Sequence, residues 1–135
     1  MNERTYRILV VEDNPGDVYL LRKSLKHADV ECELTVFEDG LEALTYIRQE
    51  ASPGGKPDLA VLDLNLPKTG GTELVAALRE SPWLRSVPVI VTSSGAISES
   101  TRNLPVDLLL PKPVDLPEFL GLGARIKNLL TGFST

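Results

Sequence analysis

Acidic side chains stand directly after two of the apolar runs in this sequence, at positions where they could do chemistry. Glu12 and Asp13 follow the run RILVV, and Asp63 closes the run LAVLD. Carboxylates that meet at one point repel one another, and a divalent cation held by carboxylates, a backbone carbonyl and water relieves that repulsion. The pattern therefore predicts an oxygen-ligand site for Mg²⁺. Zinc is disfavoured, because His27 is the only histidine and Cys32 the only cysteine.

Hydroxyl and ammonium groups follow two further apolar runs. Thr92 ends the run VPVIVT, Ser93 comes next, and Lys112 stands two residues beyond the run VDLLL. A lysine and a hydroxyl that face a metal-bound carboxylate would suit a phosphoryl group, whose charge the two cations would neutralise. Asp63 is the predicted nucleophile, because it ends the central strand and the chain turns sharply after it at DLNLP. Carboxylates are known to form acyl phosphates of this kind.

Five short apolar runs supply the strands that would carry these groups, and most are continuous rather than alternating in polarity. They span residues 7–11, 33–37, 59–63, 87–92 and 106–110. Continuous runs are typical of strands buried on both faces, and segments with helical spacing separate them. Five alternations of strand and helix predict an α/β fold with a parallel sheet between helices, and a ligand site at the carboxyl ends of the strands.

The fourth connection departs from this regular pattern. The segment SGAISESTRNLP offers few apolar anchors and room for only about two helical turns before Pro105. We therefore expect a short or irregular fourth helix.

The overall composition limits the class of protein. The chain has 135 residues, 42% of them apolar and 24% charged, which fits one soluble domain of ordinary size. It contains no apolar run long enough for a membrane span or a signal peptide, and the lone Cys32 agrees with a reducing compartment, so we expect a cytoplasmic protein. A net charge of −5 without a basic cluster argues against direct binding to nucleic acid.

Four segments together resemble the receiver domain of two-component response regulators. They are ILVVEDNPGD, DLAVLDLNLPKTGG, VPVIVTSSG and LLLPKPVD, and the resemblance extends over about residues 5–130. Their order and spacing make the match specific: Asp13 and Asp63 are 50 residues apart, and Asp63 and Ser93 are 30 apart. The resemblance implies a flavodoxin-like doubly wound (βα)5 sandwich with strand order 2-1-3-4-5. It also implies that residues 1–135 form a single receiver domain without an output domain.

The resemblance also implies a role for each residue of the site. Asp63 would be the phosphoacceptor, Asp13 the main metal carboxylate, Glu12 a neighbour acting through water, Asn65 a metal ligand by its backbone carbonyl, Ser93 the switching hydroxyl, and Lys112 the phosphoryl partner. Thr92 competes with Ser93, which is preferred because it lies five residues after Pro88, as the family hydroxyl does. The Lys112–Pro113 bond is cis in such domains.

Two features depart from the common receiver. Leu109 stands where many receivers carry an inward-turning tyrosine or phenylalanine, so the usual coupling of hydroxyl and aromatic rotamers cannot operate. The spacing of 19 residues from Ser93 to Lys112 is about three residues short. The segment VEDNPGDVYLLRKSLK is especially similar to single-domain regulators paired with phytochrome-type sensor kinases. Such regulators often dimerise through the fourth and fifth helices and the fifth strand.

The expected function is a phosphoryl-accepting switch in a phosphorelay. A sensor histidine kinase, with a bacteriophytochrome as candidate, would donate to Asp63 with Mg²⁺ and so alter a protein-binding surface. The domain would catalyse only its own phosphorylation and slow dephosphorylation, and a homodimer is a further candidate partner. Three alternatives stay open: a phosphate sink, an interaction module independent of phosphorylation, and an aspartate-nucleophile phosphatase. The last is least favoured, because Asn65 stands where such enzymes usually carry a second aspartate.

Overall fold

The structure is a computed structural model that describes residues 4–49, 56–66, 70–95 and 97–132. Five strands and five helices alternate along these ranges. The strands are β1 (Tyr6–Val11), β2 (Cys32–Phe37), β3 (Leu59–Asp63), β4 (Val89–Ser93) and β5 (Leu108–Pro111). The helices are α1 (Pro15–His27), α2 (Gly40–Ile47), α3 (Gly71–Glu80), α4 (Glu99–Arg102) and α5 (Leu116–Thr131).

The strands form one parallel sheet in the order β2-β1-β3-β4-β5, which confirms the predicted flavodoxin-like topology. Every residue of β3 and β4 is buried, as the continuous apolar runs indicated. β4 begins two residues later than its apolar run, after Pro88, which has no N–H to donate to a ladder. The strand order reverses between β1 and β3, so the crevice expected to hold a ligand lies at their carboxyl ends.

The sheet separates two apolar clusters because successive side chains of a strand point to opposite faces. On one face, Val10, Val61 and Ile90 pack with residues of α1 and α5. On the other face the strands pack against α2 and α3, with members that include Leu62, Val91, Leu44, Leu74 and Leu78. Among the described residues, no helix combines the length and apolarity that crossing a membrane requires.

Helices α1 and α5 approach each other closely at Gly123. A Cβ at that position would lie 2.6 Å from the backbone oxygen of Ser24 on α1. Only glycine fits without a shift of one helix, so this contact fixes α5 against α1. The loop that precedes α5 and carries Lys112 is thereby held beside the start of α1.

The helix α4 has four residues, which confirms the expected shortening. Arg79 of α3 links the connection from α4 to β5 with the connection from α3 to β4. Its guanidinium donates hydrogen bonds to the carbonyl oxygens of Pro105, Arg85 and Val87 at 2.8–2.9 Å, and its Nη2 lies 3.3 Å from a carboxylate oxygen of Asp107. Five N–H donors in a rigid plane allow one side chain to make all these contacts. The short connection is therefore held by a side chain of the preceding helix.

Candidate functional site

The carboxyl ends of the three neighbouring strands β1, β3 and β4 place the predicted site residues together. Val11 pairs with Leu62, so Glu12 comes level with Asp63 and Asp13 lies one residue beyond it. On the other side of β3, Asp63 itself pairs with Thr92. The parallel register thus brings residues far apart in sequence to one edge of the sheet.

Three carboxylates meet at this edge. One carboxylate oxygen from each of Glu12, Asp13 and Asp63 lies within 4.8 Å of the others. Asp63 is buried, whereas Asp13 is exposed. The donors are all hard oxygen atoms and one side is open to water, which is the kind of set that Mg²⁺ or Mn²⁺ prefers over zinc. The residues present therefore fit the divalent cation that the sequence predicted.

Lys112 supplies a positive charge to the same cluster. Its Nζ lies 2.9 Å from Oδ2 of Asp63, 3.1 Å from Oε2 of Glu12 and 3.1 Å from Oδ2 of Asp17. Burial disfavours the charged ammonium, but the three neighbouring carboxylates outweigh burial and raise the pKa of Lys112 above its usual value. Lys112 is therefore protonated at every physiological pH.

Burial works against the charge of Glu12. Burial raises the pKa of Glu12 above its usual value of 4.5, although hydrogen bonds from Lys112 and from the backbone N–H of Asn14 oppose that shift. The N–H of Asn14 donates to Oε2 of Glu12 at 3.1 Å. A nearby cation would favour the ionised carboxylate, so proton and metal compete at this residue.

The turn after β3 orients the Asp63 carboxylate. The backbone N–H of Asn65 donates to Oδ1 of Asp63 at 2.9 Å, which leaves Oδ2 to Lys112. The side-chain oxygen of Asn65 accepts from the N–H and the hydroxyl of Ser94 at 2.9 and 3.0 Å. Asn65 therefore connects the ends of β3 and β4, and metal binding by its backbone carbonyl stays a prediction.

The two candidate hydroxyls face different sides of the sheet. Thr92 pairs with Asp63 and lines the same small pocket as Asp63 and Lys112. Ser93 lies one residue further towards the open edge, is buried, and has its Oγ 3.4 Å from the carbonyl oxygen of Gly95. A bond of that length is weak, so the Ser93 hydroxyl can change partners at little cost. Its switching role stays a prediction.

Two further observations bear on predictions made from the resemblance. Every peptide bond in the described residues is trans, so the expected cis bond before Pro113 is wrong for this structure. The trans form is the default even before proline, by about 0.5–1 kcal/mol. Leu109 is half-buried against the α2 and α3 side of the core, where its side chain replaces the expected aromatic ring with an aliphatic contact.

Asp17 is a member of the site that the sequence interpretation missed. The segment PGD begins α1, since the Asn14 side chain accepts from the N–H groups of Gly16 and Asp17 at 2.8 and 3.3 Å. Asp17 lies in the first turn of α1, which starts just after Glu12 and Asp13, so its distance from the site in sequence is short. Its pairing with Lys112 depends on the sheet and could not be inferred from spacing.

Comparisons with known proteins agree with this geometry. The family model described as the response regulator receiver domain matches residues 8–121. The response regulator Rcp1 of Synechocystis sp. is 40% identical over 128 residues, which cover 90% of this chain and 86% of that protein.

Solved structures give the same result. The phosphorylated cyanobacterial phytochrome response regulator RcpA is similar with a TM-score of 0.82 and 33% identity, covering 98% of each chain. The Mn(2+)-bound form of Rcp1 is similar with a TM-score of 0.78 and 30% identity, covering 96% of this chain and 97% of that one.

Proposed function

The chain belongs to the response regulator receiver family, and on that premise we propose that Asp63 accepts a phosphoryl group from a histidine kinase. The observation that carries the assignment is the position of Asp63. It lies 2.9 Å from the Lys112 ammonium and within 4.8 Å of two further carboxylates at the carboxyl edge of the sheet. Asp63 alone combines the ammonium contact with the end of the central strand β3.

The proposed transfer involves the donor, Asp63 and one proton from solvent. A carboxylate oxygen of Asp63 forms a bond to phosphorus, the bond from phosphorus to the histidine nitrogen breaks, and that nitrogen takes a proton from solvent. With acetyl phosphate as donor, the bond from phosphorus to the acetyl oxygen breaks and acetate leaves. The hydrogen bond from Asn65 to Oδ1 and that from Lys112 to Oδ2 hold the carboxylate in place for the attack.

We assign the metal of this site to Mg²⁺. Asp13 and Asp63 would bind it directly, Glu12 through water, and Asn65 through its backbone carbonyl. The ion, when bound, supplies positive charge that offsets the charge of the phosphoryl oxygens. The acidic cluster and the Mn(2+)-bound form of the relative Rcp1 support this assignment.

We propose that Lys112 and Ser93 bind the phosphoryl group once it is on Asp63. Lys112 would pair with one phosphoryl oxygen. Ser93 would exchange its weak contact with the carbonyl oxygen of Gly95 for a hydrogen bond to the phosphoryl group. Leu109 fills the aromatic position of common receivers, so the signal would not follow the usual hydroxyl and aromatic coupling. A change at these residues alters signalling only if it shifts a two-state element of the surface.

A sensor histidine kinase is the partner that this family implies, and we propose a phytochrome-type kinase for this chain. The support is the likeness to Rcp1 and RcpA. A homodimer through α4, β5 and α5 stays a candidate. The chain would act as one cytoplasmic receiver domain and as a signalling switch rather than an enzyme. A phosphatase role is disfavoured because the Asn65 amide, already bonded to Ser94, cannot serve as a general acid or base.

The test is phosphorylation by labelled acetyl phosphate in the presence of Mg²⁺. Wild type and Asp29→Asn should take up label, whereas Asp63→Asn should take up none. Asp29 is a matched control, since it is exposed, lies in the turn after α1, and has a positive φ that asparagine also tolerates. Equal labelling of Asp63→Asn would overturn the assignment, and so would a wild-type chain that takes no label from acetyl phosphate or a kinase.

A further inference from the structure

Asp17 is held rigidly at the start of α1. Asn14 caps the helix through its side chain, so Asp17 occupies the third helical position with its backbone N–H bonded to that cap. A carboxylate in the first turn is stabilised by the positive end of the helix dipole. From this fixed position its Oδ2 lies 3.1 Å from Nζ of Lys112.

The ammonium group of Lys112 is surrounded by three carboxylates. It donates hydrogen bonds to Asp63 at 2.9 Å and to Glu12 at 3.1 Å, and it forms an ion pair with Asp17, whose Oδ2 lies 3.1 Å from Nζ. A phosphoryl group on Asp63 therefore competes with these carboxylates for the positive charge of Lys112.

Asp17 is the partner that can leave most easily. Its side chain is 22% exposed, against 11% for Glu12 and 4% for Asp63. Water can therefore replace the ammonium at Asp17 with the least loss of hydration. In addition, Glu12 and Asp63 belong to the cluster of converging oxygens, whereas Asp17 does not.

We propose that Asp17 is a positioning residue that holds the ammonium of Lys112 in an ion pair until a phosphoryl group on Asp63 displaces it. The proposal rests on the proposed function of Asp63. Lys112 lies in the connection from β5 to α5, so displacement of Asp17 breaks an ion pair between that connection and α1. Asp17 thus sets how readily Lys112 pairs with the phosphoryl group, although it does not touch the reacting atoms.

The first experiment compares Asp17→Asn with Glu42→Gln in labelling by acetyl phosphate at saturating Mg²⁺. Asparagine keeps the shape of Asp17 but removes the charge that holds Lys112. We expect the KM for acetyl phosphate to fall about three- to tenfold with little change in the maximal rate. Glu42 is exposed in the first turn of α2, also at the carboxyl edge of the sheet, so its variant controls for loss of one charge and should leave KM unchanged.

The second experiment repeats the comparison in a Lys112→Ala background, where Asp17→Asn should have no effect on KM. Asp17→Glu, which restores the charge, should return KM towards the wild-type value. If Lys112→Ala labels too slowly, the affinity for beryllium fluoride replaces KM, since binding of this phosphoryl mimic needs no transfer step.

Two results would overturn the proposal: an unchanged KM for Asp17→Asn, or an equal fall with and without Lys112. A wild-type chain that takes no label would instead refute the assignment of Asp63, so the two failures are distinguishable.

Discussion

Replacing Lys112 with methionine tests the electrostatic balance of the site most directly. Methionine keeps most of the apolar stem but removes the ammonium that contacts three carboxylates. Removing one partner of a buried ion pair costs about 3–5 kcal/mol, because the other charge stays buried without compensation. Asp63 is such a buried charge, since its side chain is 4% exposed. Glu12 and Asp17 are more exposed, so water replaces part of the interaction that they lose with Lys112. We therefore expect the free energy of unfolding to fall by about 3 kcal/mol.

Urea unfolding at neutral pH, followed by circular dichroism in the presence of EDTA, measures this loss. With an m-value of about 1.5 kcal/mol/M, the unfolding midpoint should fall by about 2 M urea. Lys127→Met is the matched control, since Lys127 is exposed on α5, and it should change stability by less than about 0.5 kcal/mol. A midpoint for Lys112→Met equal to that of Lys127→Met would refute the reasoning.

Two conditions sharpen the same prediction. Mg²⁺ should restore more stability to Lys112→Met than it adds to wild type, because the acidic cluster of the variant no longer has an ammonium to share. The pKa of Lys112 is raised in the folded chain, so its contribution is complete below its unfolded value of about 10.4 and is lost as the pH rises above it. The difference between wild type and variant should therefore persist across neutral pH and diminish in strong alkali.

Two further predictions follow from packing and from protonation. Gly123→Ala should lower the free energy of unfolding by about 2 kcal/mol, because its Cβ would lie 2.6 Å from the backbone oxygen of Ser24. Gly121→Ala on the same helix meets open space and should raise it by about 0.5–1 kcal/mol; a change of the same sign in both urea curves would contradict this account. Because burial raises the pKa of Glu12 above its usual value of 4.5, protons should weaken Mg²⁺ binding as the pH falls into the acid range, and Glu12→Gln should flatten that dependence in calorimetric titrations. An equal decline in wild type and variant would show that protons compete elsewhere.

The short α4 changes which parts of the surface can carry a signal. Four helical residues offer little area, and Arg79 holds the connection from α4 to β5 by two contacts, at Pro105 and Asp107. The tie between Lys112 and Asp17 instead links the phosphoryl site to α1, which packs closely against α5 at Gly123. The surface formed by α1 and α5 is therefore a second candidate for a conformational change on phosphorylation.

The sequence alone determined the architecture and the convergence of three carboxylates at one edge of the sheet. Continuous apolar runs require strands buried on both faces, and such strands in alternation with helices form a parallel sheet whose carboxyl ends share one edge. Glu12, Asp13 and Asp63 had to converge once that sheet formed. The few apolar residues between β4 and β5 were enough to predict a curtailed α4.

Only the tertiary structure decided how the charges are shared. Lys112 and Glu12 are 100 residues apart in sequence, and their contact depends on strand register, the approach of α5 to α1 and the side-chain rotamers. The third partner, Asp17, looked like an ordinary residue at a helix start, because local spacing does not reveal what the folded sheet brings opposite to it. The trans bond before Pro113 and the opposite facing of Thr92 and Ser93 likewise arise from backbone geometry. A pattern of residue types specifies which groups meet at an edge, whereas hydrogen-bond valence and distance in three dimensions decide which of them pair.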